Sequence, residues 1–145
     1  MTRRDADCPI VGTWRLVRYE VTPHGDQEGR KIWTDTNGLL IYGADGTLSV
    51  HLSNRERTNF AAARRWDGTT EEKAQAFDDY LAYAGTFRWE DDRVIHVIEH
   101  CIFPNWIGGE QLRYADLDGD VLTLTNHVAR EDSSVSLIWK RDSAQ

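Results

Sequence analysis

From Gly85 onward the sequence breaks into short β-favouring runs, "GTFRW", "RVIHVIEHCIF", "EQLRYADL", "VLTLTNHV" and "SVSLIWKR", separated by "EDD", "PNWIGG", "DGD" and "AREDS". This spacing constrains the fold more than any other feature. A crossover between parallel strands needs a dozen or more residues, and none of these gaps supplies them. The strands must therefore run antiparallel to their chain neighbours. Upstream, "TWRLVRYEV" stops before the Pro and Gly of "TPHGD", and "GLLIYGADGTLSVHLS" holds two apolar runs around Asp45-Gly46, a hairpin signal. Eight such runs predict an all-β fold: an eight-stranded antiparallel, mostly up-and-down β-barrel, because closure removes the edges of the sheet.

One segment changes period. In "TTEEKAQAFDDYLAYAG", Ala74, Phe77, Leu81 and Ala84 recur at helical spacing, and Thr69 and Glu72 have the spacing of a capping box. An amphipathic α-helix inserted after strand three and ending at Gly85 is the expectation.

At 145 residues the chain has the size of one domain, residues 1–145. Its net charge of −7 disfavours nucleic acid and anionic membranes as partners, and the Arg clusters in "RERTNFAAARRW" read as solvated faces. Cys8 and Cys101 are too few for a disulfide framework, and Cys8 falls in an expected tail. The N-terminal "MTRRDADCPIVG" has no apolar h-region, so a cytoplasmic location is expected.

The stretch "VIHVIEHCIFPNW" looks at first like a reactive centre. Read as a strand, however, it places His96 and His100 on one face about 13 Å apart, at ~3.3 Å per residue, too far to share a metal ion. "DLDGD" lacks the Gly and Glu positions of a calcium loop, and Cys101 has mostly apolar neighbours. No metal or cofactor is expected, and no G-x-S-x-G, P-loop, G-x-G-x-x-G or H-E-x-x-H motif is present. Glu99 matters more. It alternates with Val97, Cys101 and Phe103, and if "PNWIGG" reverses the chain, Gln111 and Arg113 return alongside it and could share its face, which is either the lumen, as a polar anchor or plug, or the outer wall, as a surface pair. The same arithmetic on the "GADG" hairpin groups Tyr42 with Ser49 and His51. Trp33 and Trp106 are candidates for the rim of a barrel mouth.

"GTWRLVRYEV" resembles the G-x-W signature strand of lipocalins and their calycin relatives, and the terminal "SLIWKR" offers the Arg or Lys that such barrels place against a Trp at their base. Together with "YAGTFRW" and "HVIEHCIFPNWIGGEQLRYADLDGDVLTLT", the chain is similar over nearly its whole length to the bacterial lipocalin-like domain family. The resemblance implies a barrel with an internal cavity, with His96, Glu99, Pro104, Asn105, Trp106, Gln111 and Arg113 at motif positions. His100 has no counterpart in that motif. The expectation is a protein that encloses a small, largely hydrophobic molecule, with Tyr42, His51, Phe103, Asn105, Trp106, Gln111 and Trp33 as ligand contacts. The alternative is a cyclase or isomerase of a polyketide-like or terpenoid intermediate, with Glu99, His96 and Arg113 as catalytic groups. A homodimer through an exposed strand or the helix is a further expectation.

Overall fold

A computed structural model of the chain describes residues 8–22, 35–128 and 133–142. Eight strands, β1 (Gly12–Thr22), β2 (Thr36–Tyr42), β3 (Thr47–Asn54), β4 (Tyr80–Trp89), β5 (Arg93–Cys101), β6 (Glu110–Asp118), β7 (Val121–Val128) and β8 (Ser133–Arg141), follow one another around a closed barrel. Each pairs antiparallel with its chain neighbours, and β8 returns to β1 over a register running from Trp14–Arg141 to Thr22–Ser134. The expected all-β, eight-stranded up-and-down barrel is therefore the observed one. No helix among the described residues is long and apolar enough to cross a membrane.

The antiparallel order puts the short connections 43–46, 90–92 and 119–120 at one end, which we call the base, and the longer connections 55–79 and 102–109 at the other, the mouth. Side chains alternate between wall and bore with the period of the pleat. In β6 the odd residues from Gln111 to Leu117 face in and the even ones face solvent. The core is continuous from Trp14, Leu40 and Val50 to Ile98, Leu122 and Trp139. At the base, Trp14 is fully buried and its indole N–H donates to the Ile10 carbonyl at 2.9 Å. Burying such a ring contributes about 5 kcal/mol, for roughly 200 Å² at ~25 cal/mol/Å². Arg141 seals the arrangement. Its guanidinium lies 4.4 Å from the centre of the Trp14 ring and donates to the carbonyls of Val11 and Pro9 at 2.8 and 2.7 Å. These bonds hold the segment preceding β1 against the barrel, and Cys8, expected in a tail, is buried in the core cluster.

The inserted helix, α1, covers Thr70–Asp78 and begins with the expected capping box: Thr69 Oγ1 accepts from the Glu72 N–H, and the Glu72 carboxylate accepts from the Thr69 N–H. It stops seven residues short of Gly85. Leu81 and Ala84 belong instead to β4, where they pair with Leu52 and Ser49 of β3. The ladder overrides the helical period because Tyr80 and Tyr83 favour strand and seven cross-strand pairs outweigh a weak Ala-rich propensity. The helix buries no residue, and Phe77 on it is exposed.

Candidate functional site

Among the described residues, the bore contains one fully buried histidine, held between two tyrosines. His96, on β5, is 2% exposed; its Nε2 lies 2.6 Å from the Tyr42 hydroxyl and its Nδ1 lies 2.8 Å from the Tyr83 hydroxyl. Register brings the three rings together from β2, β4 and β5. Phe87 of β4 sits opposite His96, and Tyr83 sits between Val50 on one side and Cys101 on the other. Between Ala84 and Gly85 the β4–β5 ladder slips by one residue. Gly85 permits the close approach there, since a Cβ on it would fall 1.9 Å from the Val97 carbonyl oxygen.

Burial, aided by the nearby positive charge of Arg113, pushes His96 down to about 3, so its ring is neutral. Burial likewise raises Tyr42 well above its ordinary value, and raises Tyr83 against the opposing pull of Arg113; both hydroxyls are protonated. The direction of the relay follows. Tyr42 has His96 as its hydrogen-bond partner and no other among the described residues. If it accepted from the ring, its own hydrogen would be stranded in the core at a cost of about 1–3 kcal/mol. Tyr42 therefore donates to Nε2, and the Nδ1–H donates to Tyr83, whose own O–H is left free.

That O–H borders a cavity of about 60 Å³ lined by Leu40, Val50, Leu52, Leu81, Tyr83, His96, Arg113, Leu124, Leu137 and Trp139. The space is room for a few water molecules. Arg113 enters from β6, half-buried, and donates to the Gln111 side-chain carbonyl at 3.3 Å and the Leu112 carbonyl at 3.1 Å. It has no carboxylate partner among the described residues. Trp139 is 2% exposed and its indole N–H has no hydrogen-bond partner. Gly38 makes space for this ring, since a Cβ there would come within 3.2 Å of Trp139 Cη2 and 2.9 Å of Leu52 Cδ2.

Among the expected site residues, the fold brings Tyr42, His96, Gln111 and Arg113 to the inside and separates them from the others. Gln111 and Arg113 pair with His96 and Val94, so they share the face of His96 and not that of Glu99. Glu99 sits in the bulge opposite the Ala84–Gly85 slip and is exposed. The same bulge breaks the shared face of the two histidines: His100 pairs with Ala84 on the outer wall while His96 points inward. His51 is also on the outer wall, pairing with Leu39 and bonded to the Tyr80 hydroxyl at 2.8 Å and Ser49 at 3.3 Å. The expectation that it accompanies Tyr42 fails because four residues, Gly43–Gly46, lie between β2 and β3, and Tyr42 pairs with Leu48 instead. Trp106 packs edge-on against Tyr83 at 6.0 Å and against Phe103 at 5.8 Å, in a 3-10 turn at Pro104–Trp106 beside the mouth. Phe103 and Asn105 in the same connection are exposed, and Trp33 lies outside the described residues. Tyr83 and Trp139 are the site residues that sequence reasoning missed. Alternation of Leu81, Tyr83 and Gly85 was a signal for Tyr83, hidden by the competing helical period.

Larger concavities, of about 510 and 770 Å³, lie outside the barrel between residues 57–66 and α1; they are open surface grooves lined by Arg57, Phe60 and Ala76. Among the described residues no three His, Cys, Asp or Glu side chains are grouped as a metal ion would require.

A closed barrel sealed by a Trp–Arg contact at the base, with a polar cluster inside an apolar bore, defines a lipocalin-type container. The chain belongs to the lipocalin-like domain family, whose model matches residues 11–142. It is also similar to the 4'-hydroxy-3'-methoxypropiophenone carrier protein of Aspergillus oryzae, at 44% identity over 66 residues, covering 40% of this chain and 60% of that relative. The match thus spans less than two thirds of that curated relative. A crystal structure of an uncharacterized protein from Bacteroides eggerthii DSM 20697 aligns with 91% of this chain and 98% of its own at 14% identity and a TM-score of 0.47.

Proposed function

We infer that the protein binds a small, largely hydrophobic molecule in the bore, with the apolar body against Leu40, Val50, Leu124 and Leu137 and the polar end at Tyr83 and Arg113. The observation that carries this reading is the interior cavity itself, apolar along its walls with a small convergent polar group at one place. The carrier name of the relative supports the class of ligand and suggests an aryl ketone. A ring compound exceeds the resting 60 Å³, so binding requires half-buried groups to move; Leu52 and Leu81, paired near the mouth, and the long Arg113 side chain are placed to do so. Cys8 and Cys101, neither of them in a disulfide, suit the reducing cytoplasm in which we place the protein. The test is a thermal-shift screen of aryl ketones and other apolar metabolites. A concentration-dependent rise in Tm is expected, abolished in Leu124→Trp, which fills the cavity; no shift with any compound overturns the reading.

One observation favours a second reading, a cyclase or isomerase. Tyr83 offers a proton to the cavity and His96 behind it fixes its orientation, the arrangement of a general acid. Glu99 faces solvent and drops out of such a mechanism. Turnover of a linear precursor by the purified protein, lost in Tyr83→Phe, would establish it.

A further inference from the structure

We propose that the bore selects ligands bearing an anionic oxygen, a phenolate, enolate or carboxylate on an apolar body, because the polar equipment facing the cavity consists of donors without a free acceptor. The inference rests on the carrier reading and specifies its ligand. Three residues that carry donors line the space, Tyr83, Arg113 and Trp139, and the indole N–H of Trp139 is buried without a partner. The acceptors nearby are engaged. His96 Nε2 is taken by Tyr42, the Tyr83 oxygen accepts from His96 Nδ1–H and from Arg113, and the Gln111 side-chain carbonyl accepts from Arg113. A neutral phenol or alcohol entering here would bring a hydrogen with nowhere to go, whereas an oxyanion accepts from Tyr83 and Arg113 together and neutralises a half-buried cation.

The ionisable groups facing this point are few. Tyr42 comes from β2, Tyr83 from β4, His96 and Cys101 from β5 and Arg113 from β6, while Cys8 lies near Tyr42. The bore-facing residues of β1, β3, β7 and β8 named here, Trp14, Val50, Leu52, Leu122, Leu124, Leu137 and Trp139, carry no ionisable group. Between about pH 6 and 8 both tyrosines stay protonated and His96 stays neutral, so a binding change in that window that survives removal of the two thiols belongs to the ligand. A Cys8→Ala, Cys101→Ala variant separates the thiols.

The experiment uses the full chain and 4'-hydroxypropiophenone, whose phenol is acidified by the para carbonyl and whose phenolate has its own absorption band. Its methyl ether is the comparison. Spectrophotometric titration should show the phenolate band appearing at lower pH in the complex than in free solution. Affinity for the phenol should rise at least about tenfold over that for the ether as the ligand ionises. Arg113→Met should bring this ratio close to one, and Arg113→Lys should retain most of it, which distinguishes lost charge from a damaged fold. Equal binding of phenol and ether across the window, or binding of uncharged compounds alone, overturns the anion selection and leaves the carrier reading standing. Failure of every compound to bind overturns both.

Discussion

Acidification should destabilise this protein through His96. The ring is neutral in the folded state with a pKa of about 3 and titrates near 6.5 when exposed, so the unfolded chain binds the proton first. The sign is fixed by that order. His96 contributes no penalty above about pH 6.5, and stability falls as pH drops below it, levelling only as the folded value near 3 is reached. With 1.36 kcal/mol per unit, the loss between pH 7 and pH 5 is about 2 kcal/mol from this residue alone. Urea denaturation of the wild type and of His96→Gln at both pH values measures it. Gln can bond both tyrosines and does not titrate, so its stability should fall by about 2 kcal/mol less than that of the wild type. Nitrogen chemical shifts should also show His96 still neutral at pH 5 in the folded protein. Parallel losses in the two proteins, or a folded-state titration near pH 6, would refute the assignment of a dry, uncharged ring.

Other expectations concern the frame that holds the site. Gly85→Ala should cost at least about 3 kcal/mol in chemical denaturation, since its Cβ would lie 1.9 Å from backbone and neither atom can yield without breaking the bulge. Arg141→Met should cost about 2–3 kcal/mol by losing the ring contact and two carbonyl bonds, and should free the segment before Gly12 to protease. Thr69→Ala should accelerate amide exchange within α1 while moving global stability by less than about 1 kcal/mol, because the helix buries no residue.

How far the sequence specified these features depends on which of them are local. The strands from β5 to β8 were legible because none of their connections is long enough for a parallel crossover and because residues such as those of "EQLRYADLD" alternate cleanly between bore and solvent. The base was legible through Trp14 and Arg141, whose contact spans nearly the whole chain but rests on a short signature at each end. The end of the helix was not. Ala74, Phe77, Leu81 and Ala84 satisfy a helical period, and the pairing of Leu81 with Leu52 that overrules it is a long-range event. The face of each residue depended on two details that periodicity does not encode: the length of the 43–46 loop, which moved His51 away from Tyr42, and the bulge at Glu99, which sent Glu99 and His100 outward and left His96 inside. The Tyr42–His96–Tyr83 cluster needs the registers of three strands at once, with separations of 54 and 13 residues. Its members were visible in the sequence; their meeting was not.

The central claim is that the ligand sits inside the barrel beneath this cluster, and NMR of the labelled protein titrated with 4'-hydroxypropiophenone tests it most directly. The account predicts ligand NOEs to the rings of Tyr83 and Trp139, with the indole Hε1 of Trp139 shifting on saturation. NOEs confined to the outer groove around Phe60 and Trp66, with Trp139 unmoved, would contradict it.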